Sequence, residues 1–139
     1  MNKEFVTYEQ ALELKELGFD EPCFGYYIEL RNPKEGILTT DKVLKGFDGV
    51  SAPTFSQAFR WFRENHQIFP EVLTDCTTEP KFVFTYNTFY GNPKDLTEQV
   101  WGWEINIGQY SEVYRTHEEA ELACLAKLIE ITKNKNLTL

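Results

Sequence analysis

Two histidines and three cysteines are the side chains of this sequence best suited to act as base, nucleophile or metal ligand near neutral pH. Cys76 lies in the polar run Thr74-Asp75-Cys76-Thr77-Thr78, which reads as an exposed turn. With His66 as its base and Asp75 to orient that base, it would complete the inventory of a cysteine hydrolase. The spacing does not show that these side chains meet. No glycine-rich turn flanks Cys76 to supply an oxyanion hole. His66 is explained more simply as the end of a helix, where the dipole favours an imidazolium. His117 falls in the first turn of another helix and is expected at the surface. Cys23 and Cys124 read as small buried hydrophobes. No His-x₃-His or Cys-x₂-Cys spacing occurs, so no metal is expected.

Among the carboxylates, Glu104 stands between Trp101 and Trp103 in an alternating segment. It is a conceivable general acid, and equally the solvent-facing residue of a strand. The glycines form neither G-x-G-x-x-G nor G-K-[ST], so no nucleotide or other cofactor is expected. The aromatic set is richer. Tyr26, Tyr27, Tyr86, Tyr90, Trp101, Trp103, Tyr110 and Tyr114 fall in segments expected to share one sheet. Where such rings face away from the helices they would make a binding surface; where they face inward they are cross-strand pairs filling a core. The candidate binding residues on this reading are Tyr27, Trp61, Trp101, Trp103, Tyr110 and Tyr114.

The elements that must position these residues follow from periodicity and punctuation. Thr7 and Gln10 fit a capping box opening a helix over 8–17, and Gly18 stops it. Phe24, Tyr26, Ile28 and Leu30 alternate with Gly25, Tyr27 and Glu29, predicting a strand whose apolar phase faces inward. The stretch 34–50 reads as loop, with a tight turn at Phe47-Asp48-Gly49. Ser51 and Pro53 are placed to start a second helix carrying Phe55, Ala58, Phe59 and Phe62 on one stripe, with Trp61 beside it. Strands are expected over 68–73, 81–90, 101–107 and 110–115, the first confined to a sheet edge by Pro70 and the first two separated by a turn at 75–80. Thr116 and Glu119 form a second capping box, opening a helix that runs to about Ile131. That helix carries two apolar stripes, Ala120-Cys124-Leu128-Ile131 and Leu122-Leu125-Ile129. One stripe covers a sheet; the other needs a helix of the same chain or a second subunit.

The expected fold is therefore α+β: an antiparallel sheet of four to five strands with about three helices packed mainly on one face. All 139 residues are expected in one domain, with Met1–Phe5 and Lys133–Leu139 frayed. The helix–meander–helix order of its end matches that of double-stranded-RNA-binding domains, but Glu118, Glu119 and Glu121 stand where such a domain needs bases. Lys and Arg number 14 against 22 Asp and Glu, a formal charge of −8. Phosphate neutralisation requires the opposite excess, so neither nucleic-acid nor basic-face membrane binding is expected. No apolar run is long enough to span a bilayer and no export signal opens the chain, which predicts a cytoplasmic location with reduced thiols.

The segment Ser51-Ala52-Pro53-Thr54-Phe55-Ser56-Gln57-Ala58-Phe59-Arg60-Trp61-Phe62 resembles one found in small proteins of bacterial prophage and mobile-element regions. The opening Phe5-Val6-Thr7-Tyr8-Glu9-Gln10-Ala11 and the closing Thr116-His117-Glu118-Glu119-Ala120 share that resemblance. It implies a bacterial or phage origin and brings no catalytic residues. The leading expectation is a non-enzymatic protein-interaction module, its partner a protein or a second copy docking through the helix at 117–131. The alternatives are a small hydrolase using Cys76 or a carboxylate such as Glu104, and an acidic decoy of a nucleic-acid-binding protein.

Overall fold

Thr7 caps the first helix, α1 (Tyr8–Glu16). Its hydroxyl accepts from the Gln10 amide at 3.2 Å, and the Gln10 side chain accepts from the Thr7 amide at 3.3 Å, closing the expected capping box. Gly18 ends the helix at φ 100°. The Phe19 amide donates to the Leu14 carbonyl at 3.0 Å and the Gly18 amide to that of Lys15 at 3.1 Å, a Schellman ending with Leu14 and Phe19 both buried.

The computed structural model describes residues 2–31, 34–40, 49–75, 83–90, 104–106 and 114–137. Over these the chain is α+β, with three α-helices and six strands, every strand pair antiparallel. The described strands form two three-stranded sheets. The chain divides into two compact units, Met1–Ala58 and Phe59–Leu139.

In the first unit, β1 (Gly25–Arg31) lies between β2 (Lys34–Thr39) and β3 (Gly49–Ala52). The first two form a hairpin in which Ile28 stands opposite Ile37 and Arg31 opposite Lys34. β2 and β3 occupy sequence read above as loop. Gly36, which reads as a loop residue, serves packing instead: it lies beneath the Tyr8 ring, which occupies the space a Cβ would need. Of the turn expected at Phe47-Asp48-Gly49, Gly49 begins β3 and the other two residues lie outside the described ones. The segment before α1 is tied down rather than frayed, since Phe5 bridges Thr54 and the Val6 amide donates to the Pro53 carbonyl at 3.0 Å.

The second helix, α2 (Phe55–His66), starts one turn later than Ser51 and Pro53 suggest. Ser51 belongs to β3, and Thr54 is the cap, its hydroxyl accepting from the Gln57 amide at 3.2 Å. Phe55, Ala58 and Phe62 are buried as the stripe predicts, and Trp61 is buried with them. Gln67 ends the helix in the left-handed region at φ 52°.

In the second unit, β4 (Ile68–Asp75) pairs with β5 (Val83–Tyr90), and β5 with β6 (Glu104–Asn106). Among the described strands β4 lies at the sheet edge, as Pro70 requires. The turn expected over 75–80 lies outside the described residues beyond Asp75, as do most of the strands expected over 101–107 and 110–115.

The last helix, α3 (His117–Leu137), packs on β4 and β5. Thr116 caps it, accepting from the Glu119 amide at 3.1 Å. The return bond differs from the expected box, because the Glu119 carboxylate accepts from the Arg115 amide at 3.3 Å. α3 runs past Ile131 to Leu137, through residues expected to fray. Most of each stripe is buried, Ala120, Cys124 and Leu128 on one and Leu125 and Ile129 on the other, while Ile131 is half-buried. Thr132, also buried, donates its hydroxyl to the Leu128 carbonyl at 2.9 Å. Leu122 is the large apolar side chain left exposed among the described positions of α3.

Candidate interaction face

The centre of the first sheet is set by its inner phase. Gly25 is buried because a Cβ there would stand 2.7 Å from the Phe5 ring and 3.2 Å from the Ala52 carbonyl oxygen. Tyr27, next on that phase, is buried, meets the Tyr8 ring edge-on at 5.5 Å, and donates its hydroxyl to the Val6 carbonyl at 2.6 Å. Glu29 follows, accepting from the Tyr8 hydroxyl at 3.1 Å. From β3, Val50 and Ala52 are buried with these residues. α1 thus covers the phase that carries Gly25, Tyr27 and Glu29.

The opposite phase holds Phe24, Tyr26, Ile28 and Leu30, the residues expected to face inward. Phe24 is 74% exposed and Leu30 37%, while Tyr26 and Ile28 are half-buried. Across the hairpin, Ile37 shares that phase opposite Ile28 and is 51% exposed. On the other side of Ile28 stands Gly49, also exposed, so the row ends without a side chain. Solvated faces of antiparallel sheets normally carry polar residues. Here the outer phase of β1 is more apolar than the inner one.

An acidic residue shares this face: the exposed Glu35 stands opposite Leu30. In sequence Asp20 and Glu21 precede Phe24, Asp20 exposed and Glu21 half-buried with its carboxylate 3.4 Å from the Gln57 side-chain amide.

Of the residues singled out from sequence, Tyr27 and Trp61 are buried elsewhere than on this face. Tyr27 lies on the inner phase, so its ring is core and Tyr26 is the tyrosine of the open face. Trp61 is core as well, its ring edge-on to Phe62 at 5.0 Å and to His66 at 4.8 Å. The aromatic strand residues are divided between the sheets, Tyr26 and Tyr27 on the first, Tyr86 and Tyr90 on the second. Trp101, Trp103 and Tyr110 lie outside the described residues, and Tyr114 is half-buried just before α3.

Cys76 lies outside the described residues. His66 closes α2 with its ring against Trp61 and Phe62, and Glu104 begins β6 opposite Tyr90. Cys23 and Cys124 are the buried thiols expected. Burial, reinforced by Glu21, pushes the Cys23 thiol up to about 11, and burial, reinforced by Glu121, pushes that of Cys124 to about 12. Both stay protonated near neutrality and are poor nucleophiles. His117 is exposed and lies 3.1 Å from the Glu121 carboxylate, an i,i+4 surface pair. Among the described residues no three His, Cys, Asp or Glu side chains gather as a metal site, and no helix is long and apolar enough to cross a membrane.

Phe24, Ile28, Leu30 and Ile37 were not singled out as binding residues because the outward phase is the one that looks like core. The available signal was the small residues, Gly25 and Gly36, which mark the side that other groups approach closely. No family model matches this chain, and neither a curated protein nor a solved structure is similar to it.

Proposed function

We propose that this chain is a cytoplasmic, non-enzymatic protein-interaction module, of the prophage or mobile-element origin its helix starts resemble. Its docking surface is the open face of the first sheet, the one opposite α1. The observation that supports this reading is the row Phe24, Tyr26, Ile28, Leu30 and Ile37, apolar and partly or largely exposed on the face opposite α1. A cluster of large apolar side chains on a sheet face signals a contact surface, whereas single exposed ones do not. Burial of most of both α3 stripes supports docking on the sheet face in preference to the helix at 117–131.

A photoactivatable side chain placed at Ile37 tests the reading in bacterial cells expressing the protein. The expected result is a discrete protein adduct that disappears when Phe24→Ser is added. The same probe at Glu16, exposed on α1, gives none. Equal labelling from both positions, or none from Ile37, would show that this face docks nothing.

A further inference from the structure

We propose that the occupant of this face is a basic, amphipathic protein segment: an apolar stripe flanked by lysine or arginine, laid along β1. The inference rests on the interaction reading above and adds the chemistry of the partner.

The apolar row supplies the contact area, and its surroundings select the charge. Among the described residues of the face the carboxylate is Glu35, and Asp20 and Glu21 precede Phe24 in sequence. Arg31 and Lys34 pair with each other at the end of the β1–β2 register. A partner's cation would meet Glu35 beside Leu30, on a chain whose formal charge is −8. Complementary charge at the rim of an apolar patch steers encounter and fixes register, while like charge rejects the wrong partner.

The same argument disfavours a second copy. Each chain carries a formal charge of −8, so a face-to-face pair brings like charges together. A basic segment gains on both counts, burying its stripe on Phe24, Ile28, Leu30 and Ile37 while its cations reach Glu35.

The test uses the intact chain and two synthetic amphipathic helical peptides that share one apolar stripe. One carries lysine at every polar position and the other glutamate, and binding is read by fluorescence anisotropy at low and high salt. The lysine peptide is expected to bind at least about tenfold tighter than the glutamate peptide, with the preference shrinking at high salt. The double variant Phe24→Ser, Ile37→Ser should weaken lysine-peptide binding by about tenfold or more, and Glu35→Lys by about threefold to tenfold. All three side chains are exposed, and thermal unfolding verifies that each variant keeps the fold. Face-dependent binding of both peptides with equal affinity overturns the basic partner and leaves the interaction module standing. Lysine-peptide binding indifferent to Phe24→Ser and Ile37→Ser is diffuse attraction to an acidic surface, and overturns the proposal. Binding of neither peptide, in a chain that also gives no adduct from Ile37, overturns both readings. A concentration-dependent dimer in sedimentation velocity, abolished by Ile37→Ser, replaces the basic segment with a second copy.

Discussion

The Tyr27 hydroxyl donates a 2.6 Å hydrogen bond to the Val6 carbonyl, joining the middle of β1 to the residue just before the cap of α1. The amide of the same Val6 donates to Pro53, at the end of β3 and the approach to α2. One fully buried residue thus connects three elements of the first unit. Tyr27→Phe keeps the ring and leaves the Val6 carbonyl without this donor. The expected loss is about 1–2 kcal/mol in chemical denaturation, with an unchanged denaturant slope.

The two phases of β1 should respond oppositely to polarity. Phe24→Ser and Ile37→Thr alter exposed side chains and are expected to change stability by less than about 0.5–1 kcal/mol. Tyr27→Ser removes a buried ring together with its hydrogen bond and should cost about 3–5 kcal/mol. Equal sensitivity on the two phases, measured by thermal unfolding, would contradict the assignment of inside and outside.

Gly25 and Gly36 are predicted to differ in tolerance. An alanine methyl at Gly25 meets the buried Phe5 ring, with the Ala52 carbonyl oxygen also within reach, so neither neighbour can yield freely. Gly25→Ala should cost about 1–3 kcal/mol. At Gly36 the obstacle is the Tyr8 ring, half-buried and anchored through an exposed bond to Glu29. Gly36→Ala can displace that ring toward solvent and should cost less, about 1 kcal/mol. The order of the two melting temperatures is the measurement.

Each helix cap is separately removable. Thr7→Ala, Thr54→Ala and Thr116→Ala each delete the hydroxyl that accepts from a first-turn amide. Each is expected to cost about 1 kcal/mol, the usual value of such a cap. Hydrogen exchange should localise the loss, with the Gln10, Gln57 and Glu119 amides losing protection in their respective variants.

Stability should fall in alkali. Burial raises the Cys124 thiol from 9 to about 12, so between those pH values the folded chain holds a proton that the unfolded chain has lost. Stability therefore declines as pH rises through that window, by up to about 1.4 kcal/mol per pH unit for this thiol. Cys23, raised from 9 to about 11, and Tyr27, raised mainly by burial, act with the same sign. Cys124→Ala is expected to flatten the slope above pH 9, measured by denaturant unfolding across that range. An unchanged slope would show that the thiol is not held protonated by burial.

Local chemistry was legible without the fold. Thr7 with Gln10, Gly18 and Thr116 mark helix ends through bonds to residues three to five positions away, and each stands where expected. Pro70 likewise placed β4 at a sheet edge, since a proline has no amide to offer a second neighbour. The α+β class follows from such signals. β2 did not announce itself, because its glycine signals a turn unless the ring that packs over it is known.

The inside and outside of β1 could be decided only by contacts between distant residues. A period of two separates a strand into two faces without saying which is covered. Both faces here contain apolar side chains, and the more apolar one is open. The choice is made by Phe5 closing on Gly25, Tyr8 on Gly36, and the Tyr27 hydroxyl reaching Val6. Missing Cβ atoms let those groups approach on one side, and a buried hydroxyl needs the partner found there. Sequence alone determined where α1 and α3 start, but not α2, whose cap is Thr54 and not Ser51. Tertiary packing determined which apolar row remains exposed, because the groups that settle it lie far apart along the chain.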